Sequence, residues 1–261
     1  MSHLDELVDA ILSRPKYRHI SPDLVRRIGE RELGVRRNMK EAVKATKNKL
    51  HQVGGAYFEA KVDYEAGLQM LRETTDLPAT CRILMQHHAS TRERLPILDE
   101  FYRTIFAHLP PIYRVIDVAC GLNPLAHSWM PLPPDAEYLA YDIYGDMIDF
   151  VNEFMKVAGI KGKAEVRDVI GRPPTTPADL ILILKSLPCL EQVDKLAAEK
   201  LLAGLSGRYL LITYPAQSLG GRRKGMIANY TDHFHTLAQG RNWQVQQFEF
   251  ETELAILVET Q

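Results

Sequence analysis

Three carboxylates, each within or just behind an apolar run of strand length, mark where this chain could hold a ligand. The first run is Val115-Ile116-Asp117-Val118-Ala119-Cys120-Gly121-Leu122-Asn123-Pro124-Leu125-Ala126. It reads as a buried strand, a tight turn at Gly121 and a helix opened by Pro124, the way a parallel strand delivers a nucleotide-like ligand to a helix start. Gly121 lets the backbone approach a ligand closely, and Pro124 fits a first helical turn, where no N–H is needed. The stretch lacks the GxGxxG pattern, which argues against a dinucleotide pyrophosphate and for an adenosine ligand without phosphates, such as S-adenosylmethionine. Asp142 ends the second run, 25 residues after Asp117, near the spacing at which an acid reaches ribose hydroxyls. Asp168 follows the third, Glu165-Val166-Arg167, where it could accept from the adenine amino group while Val169 offers its backbone N–H. An ordinary strand-turn-helix is the plain alternative for the first stretch and a solvated strand-end carboxylate for Asp142; three successive strand ends favour the ligand.

The fourth run ends in Leu184-Lys185-Ser186-Leu187-Pro188, at the crevice where an acceptor would sit. Enzymes that methylate exocyclic amines often carry Asn/Asp-Pro-Pro-Tyr/Phe there, and this chain does not. An acceptor with a free lone pair, such as guanine N7, needs no base, so no catalytic residue is expected and alignment of donor and nucleophile would supply the rate. No Ser-His-Asp or Cys-His arrangement and no metal pair is apparent. Cys81, Cys120 and Cys189 sit in apolar contexts without CxxC or CxxH spacing and read as free, buried thiols of a cytoplasmic protein.

These residues need a frame. In 261 residues, 46% hydrophobic and 25% charged, there is neither an apolar run of membrane-spanning length nor a secretory leader pattern, so membrane attachment is not expected. The hydrophobic periodicity predicts helices over 4–12, 22–33 (stopped by Gly34), 37–53 and 62–73. Ser90-Thr91-Arg92-Glu93 looks like a capping box that starts a helix running to Phe106. After Pro111 the pattern alternates. Strands are expected at 113–118, 137–141, 163–167, 179–184, 208–213, 243–249 and 252–258, with helices at 124–129, 145–157, 191–204 and about 225–239. Alternation of this kind predicts a doubly wound α/β sheet, here the Rossmann-like fold of class I S-adenosylmethionine-dependent methyltransferases, closed by an antiparallel hairpin. A small all-α N-terminal domain over 1–78 would precede a catalytic domain over 79–261.

The net charge of -1 hides an asymmetry, because residues 11–50 carry twelve Lys/Arg against four acids. At and along the third helix Arg36, Lys40, Lys44 and Lys47 form a stripe beside the apolar one, suited to a phosphate backbone. A solvated helix face is the bland alternative. A second cationic segment, Gly220-Gly221-Arg222-Arg223-Lys224, follows the fifth strand and suits an RNA backbone near the acceptor site.

Several stretches together resemble the 16S rRNA guanine-N7 methyltransferases that confer aminoglycoside resistance. They are Leu50-His51 with Gly54-Gly55-Ala56-Tyr57, His88 through Leu95, Asp117 through Ala126, Lys185 with Leu187-Pro188 and Leu190-Glu191, and Ser218 through Arg222 with Lys224-Gly225-Met226, Asn229-Tyr230 and Phe234. The resemblance implies methylation of guanosine 1405 in the 30S subunit with S-adenosylmethionine as donor, and a helical domain that docks on rRNA; recognition of the intact subunit needs nothing beyond a monomer. It implies that Tyr57, His88, Ala89, Ser90 and Arg94 enclose the methionine part, Arg94 pairing with its carboxylate. Ala119 and Gly121 would line the loop, Asp142 would take the ribose, Asp168 and Val169 the adenine, with Leu184 and Gln192 completing the set. Gln217 departs from the family, which has a basic residue there. Two other readings remain open: a small-molecule methyltransferase, and a non-catalytic RNA-binding or ribosome-assembly protein that keeps the fold.

Overall fold

The computed structural model describes residues 2–54, 62–216 and 225–260. Tyr57, Gln217, Arg222, Arg223 and Lys224 lie outside them.

Three helices open the chain: α1 (His3–Leu12), α2 (Pro22–Val35) and α3 (Met39–Gly54). Side chains fix their starts. Ser2 and Asp5 form a reciprocal capping box on α1, and Ser21 caps α2 with Pro22 in its first turn. Gly34 does not stop α2, which runs to Val35 and ends where Arg36 turns extended; the Arg36–Glu32 ion pair (2.8 Å) spans that last turn. Leu7, Val8, Ile11, Leu24, Val25, Ile28, Ala42 and Leu50 pack these helices into one apolar cluster, which also takes in Val193 from much later in the chain.

Two more helices, α4 (Tyr64–Glu73) and α5 (Leu77–Met85), start at Asp63 and Asp76, whose carboxylates accept from Ala66 and Ala79 N–H. Leu68 and Leu71 of α4 pack in the core of the sheet, so α4 belongs with the sheet and not with the three-helix cluster. The expected single helix from Ser90 to Phe106 is two. His88 is the N-cap of α6 (Ala89–Arg94), and Ser90 lies inside it. Pro96 cannot donate to the carbonyl four residues back, so the chain tightens into a 3-10 turn, Leu95–Ile97, before α7 (Leu98–Phe106).

The sheet is made of β1 (Arg114–Val118), β2 (Glu137–Asp142), β3 (Gly162–Val166), β4 (Ala178–Leu184), β5 (Gly207–Pro215), β6 (Trp243–Glu249) and β7 (Glu253–Thr260). Their order is β3-β2-β1-β4-β5-β7-β6. The first five are parallel, and β7 and β6 return antiparallel as the expected hairpin. A 3-10 helix, Asn123–Trp129, follows β1, and α8 (Gly145–Val157) joins β2 to β3. The expected helix over 191–204 starts earlier and is interrupted. It forms α9 (Leu187–Val193) and α10 (Ala197–Gly204), separated where Asp194 turns extended and takes the Leu196 N–H on its carboxylate. Helix α11 (Met226–Ala238) precedes β6. Side-chain alternation divides the core: Leu180, Leu182 and Leu184 face α4, α5, α7 and α8, while Ile181 and Ile183 face α9, α10 and α11. The result is the three-layered Rossmann-like arrangement. Its topological switch point lies between β1 and β4, where the chain, having built outward through β2 and β3, returns to the other side of β1.

Candidate functional site

A cleft of about 850 Å³, counted to its open mouth, sits at the carboxyl ends of β1, β2 and β4. His88, Ser90 and Arg94 wall one side, Ala119, Cys120 and Asn123 another, and Asp142, Ile143 and Tyr144 follow β2. Asp168, Val169 and Ile170 follow β3, and Leu184, Lys185, Ser186, Cys189 and Leu190 close the β4 side. Eight residues expected from the sequence therefore converge here: His88, Ser90, Arg94, Ala119, Asp142, Asp168, Val169 and Leu184. Ala89 is buried behind the wall, and Gly121 stands beside it. Gln192 does not belong. Cys189, Leu190 and Val193 form the cleft-facing side of α9, whereas Gln192 is exposed off that side and its carbonyl accepts from Lys49 Nζ (3.3 Å). Cys189 is only half-buried, unlike Cys81 and Cys120.

The loop after β1 is held in unusual backbone. Ala119 has φ of 52° and Gly121 the same, and Lys185, at the end of β4, has φ of 56°. L-residues seldom adopt this region, and two non-glycines in it beside one cleft mark stored strain of the kind found at binding sites. A Cβ on Gly121 would lie 2.6 Å from His88 Cε1, so glycine is needed for the close approach of loop and ring. Burial, with Lys185 and Arg94 nearby, pushes the His88 imidazole down to about 3 and keeps it neutral.

Beneath the loop lies a buried polar network. Arg94 Nε and Nη2 donate to both carboxylate oxygens of Glu253 on β7 (3.0 and 2.7 Å), and its Nη1 donates to Asn123 Oδ1 (2.9 Å). Lys185 Nζ lies 2.9 Å from Glu93 and 3.5 Å from Glu253. Burial pushes the Glu253 carboxyl up, but Arg94 and Lys185 overcome it and hold it below the usual range. Asn123 Nδ2 and Tyr138 Oη donate to Asp117 Oδ2 (2.9 and 2.7 Å), whereas Asp117 Oδ1 has no hydrogen-bond partner among the described residues. Asp117 therefore supports the loop from below and does not line the cleft.

Burial raises the Asp117 carboxyl to about 7. Unfolded, it would release its proton near pH 3.9. Stability tied to it is full below about pH 4 and is lost as pH rises through about 7. His88 has the opposite sign, its neutral form being favoured by folding, so the comparison is between variant and parent. In Asp117→Asn the parent's loss should disappear, so the urea midpoint at pH 8 minus that at pH 5 should be more positive than in the parent. An unchanged gap would assign the dependence to another group.

The two strand-end acids of the cleft differ. Asp142 Oδ2 accepts the Gly121 N–H (2.9 Å) and Oδ1 the Ile143 N–H (2.6 Å), which ties the β1 and β2 loops together. No cation pairs with it among the described residues, and burial moves its carboxyl up against the pull of these N–H groups. Asp168, in contrast, takes Arg27 of α2 bidentately, Nε to Oδ2 at 2.5 Å and Nη2 to Oδ1 at 3.1 Å. Arg27 and Leu24, one helical turn apart on α2, both line the cleft. The sequence reading missed these two, placing α2 wholly in a docking module.

The basic stripe is present in part. Lys40 and Lys44 are exposed on α3, and Arg36 is exposed but paired with Glu32. Lys47 is half-buried, 6.0 Å from the centre of the Tyr17 ring. Other N-terminal cations turn inward: Arg31 donates to Val193 O (3.2 Å) and Lys49 to Gln192 O, both at the carbonyl end of α9.

The site accepts the expected donor on its own chemistry. Two buried acids stand at successive strand ends, apolar Leu24, Ile143, Val169, Ile170 and Leu184 lie between and around them, and the buried Ser186 hydroxyl has no hydrogen-bond partner among the described residues. Comparison with known proteins agrees. The family model for ribosomal RNA methyltransferases of the FmrO type matches residues 13–258. A 16S rRNA (guanine(1405)-N(7))-methyltransferase of Micromonospora rosea is 37% identical over 98% of this chain and 96% of its own. One of the same description from Serratia marcescens is 35% identical over 89% of this chain and 88% of its own. The crystal structure of the 16S rRNA methyltransferase RmtF in complex with S-adenosyl-L-homocysteine superposes with a TM-score of 0.85 at 33% identity, covering 100% of this chain and 99% of that one.

Proposed function

The chain belongs to the FmrO family of ribosomal RNA methyltransferases, and from that premise we propose that it methylates N7 of guanosine 1405 of 16S rRNA in the 30S subunit, conferring aminoglycoside resistance. S-adenosylmethionine is the methyl donor, its sulfonium supplying an electrophilic methyl group. The observation that carries this reading is the cleft: buried acids at the ends of β2 and β3, and an acceptor side with no residue poised to remove a proton among those described.

The residues have separate tasks. Asp142 accepts ribose hydroxyls while keeping the two loops together, and Asp168 with the Val169 N–H meets the adenine edge. Arg94, His88 and Ser90 bound the methionine end, with Tyr57 from outside the described residues. Lys185 is kept by Glu93 and Glu253 from donating to N7, whose lone pair must stay free to attack. His88, neutral and weakly basic, adds no positive charge against the cationic product. The rate then comes from holding nucleophile and methyl carbon in line. The reading also takes the protein to act as a monomer in the cytoplasm, where 30S subunits are found; one chain supplies the cleft walls described.

Purified protein incubated with unmethylated 30S subunits and S-adenosylmethionine tests this. Borohydride reduction and aniline cleave RNA at N7-methylguanosine, and primer extension locates the break. A new stop at guanosine 1405 establishes site and atom; a stop elsewhere keeps the activity and rejects the site. No methylation while the donor still binds would favour a small-molecule acceptor.

Lys40 and Lys44, with Arg36, Lys47 and the 222–224 cations, are the proposed rRNA contacts. Lys40→Glu combined with Lys44→Glu should weaken 30S binding on the order of 10-fold or more at physiological salt and lower the slope of log affinity against log salt by about 2. Donor affinity measured by calorimetry should be unchanged. Equal loss of both would mean that the stripe is structural.

A further inference from the structure

The N-terminal helices do more than present cations to RNA. The segment before α2 pairs with the loop that follows Asp142: Ser21 N–H donates to Ile143 O (2.7 Å) and Gly145 N–H to His19 O (2.6 Å), with an antiparallel bridge between Ile20 and Tyr144. One turn further on, Leu24 and Arg27 reach the cleft. Arg27 is about a quarter exposed, Asp168 4%. Gly171 makes room for their meeting, since a Cβ there would lie 3.0 Å from Asp168 Oδ2 and 3.4 Å from Arg27 Cδ. The geometry is fork on carboxylate, which fixes the plane of the acid as well as its charge.

The acceptor count gives this a consequence. Asp168 Oδ1 receives Arg27 Nη2 and the Ile170 N–H (3.2 Å), whereas Oδ2 receives only Arg27 Nε among the described residues. Each carboxylate oxygen has room for about two donors. One acceptor position is therefore left, on Oδ2. A carboxylate free to rotate would offer that position in many directions; the Arg27 fork confines it to one.

We propose that Arg27 is a positioning residue for the cofactor: from the rRNA-docking helix α2 it holds Asp168 so that the remaining Oδ2 acceptor position meets the adenine amino group. This rests on the reading of the cleft as the S-adenosylmethionine site with Asp168 at the adenine. It makes the cofactor site a joint product of both domains, so that docking the helices on rRNA and filling the cleft act on the same contact and are linked by reciprocity.

The test is calorimetric, on the full chain, with S-adenosylhomocysteine and with its analogue in which hydrogen replaces the adenine amino group. The parent should prefer the amino-bearing ligand about 10-fold, the scale of one hydrogen bond to a charged group. Arg27→Ala should bind S-adenosylhomocysteine about 10-fold more weakly and bind the analogue nearly as the parent does, so that the preference falls towards unity. Arg27→Lys, with one point charge in place of the fork, should restore part of it. Should the alanine variant fail to fold, Arg27→Gln is measured by the same criterion. A variant that weakens both ligands equally, keeping the parent's preference, has lost only packing, and the proposal falls. Asp168→Ala separates the two layers: if it too keeps the preference, the placement of adenine at Asp168 is what fails; if it alone abolishes it, the site stands and Arg27 has no part in it.

Discussion

Arg94→Ala is expected to destabilise the fold by about 3–5 kcal/mol, the scale for breaking a buried ion pair by removing one partner. Arg94 and Glu253 are both fully buried and joined bidentately. Without the guanidinium, Glu253 keeps the Thr213 hydroxyl and Lys185 at 3.5 Å, a cation already shared with Glu93, and Asn123 Oδ1 loses one of its two donors. At about 2–4 °C per kcal/mol for a chain of this size, the thermal midpoint should fall on the order of 10 °C. Binding should suffer as well. The contacts to Glu253 and Asn123 leave two of the five guanidinium N–H donors over, which is what a ligand carboxylate needs for a bidentate contact. Urea denaturation and calorimetry with S-adenosylhomocysteine at a temperature where both proteins are folded would separate the two losses. A midpoint within about 1 kcal/mol of the parent's would mean that the network relaxes around the gap, and the structural half of the assignment would fail.

That double duty shows where sequence reasoning stops. Arg94 was legible as a site residue because its neighbours His88, Ala89 and Ser90 form a motif; its partner Glu253 is 159 residues away and nothing local points to it. The same holds for Arg27 and Asp168, 141 apart. The strands were legible because apolar runs bounded by turn residues are a local signal, and all seven appear within two residues of expectation. Helix interruptions were harder. Pro96 outweighed a continuous apolar stripe, and Asp194 broke a helix by capturing the Leu196 N–H, a local competition that periodicity does not register. Ser90, which matched a capping box by spacing, is instead a wall residue inside α6. Positive φ at Ala119 and Lys185 carries no sequence signature, because neither is glycine.

Asp142→Ala should differ from Arg94→Ala in sparing the fold while losing the ligand. Asp142 is a buried carboxylate with no ion pair among the described residues, and its carboxyl is raised by that burial. An uncompensated buried acid is a cost to folding, so its removal relieves one cost even as the Gly121 and Ile143 N–H groups lose their acceptor. These two effects oppose each other, and the denaturation midpoint should move by no more than about 1 kcal/mol. Binding has no such compensation. Ribose hydroxyls donating to a carboxylate make charge-assisted bonds of about 1.5–3 kcal/mol each, so losing two should weaken S-adenosylhomocysteine by about 100-fold or more. Asp142→Asn, which keeps one oxygen, should fall between. The variant also frees the loop that Gly121 anchors, so any residual methylation should show a raised KM for the donor before a lowered kcat. A variant that unfolds more easily by several kcal/mol yet binds the ligand as the parent does would make Asp142 a structural tie and remove it from the ribose. The two expectations differ because of one contrast between two buried charges: Arg94 is matched by a charged partner inside the fold, whereas Asp142 has no cation beside it among the described residues.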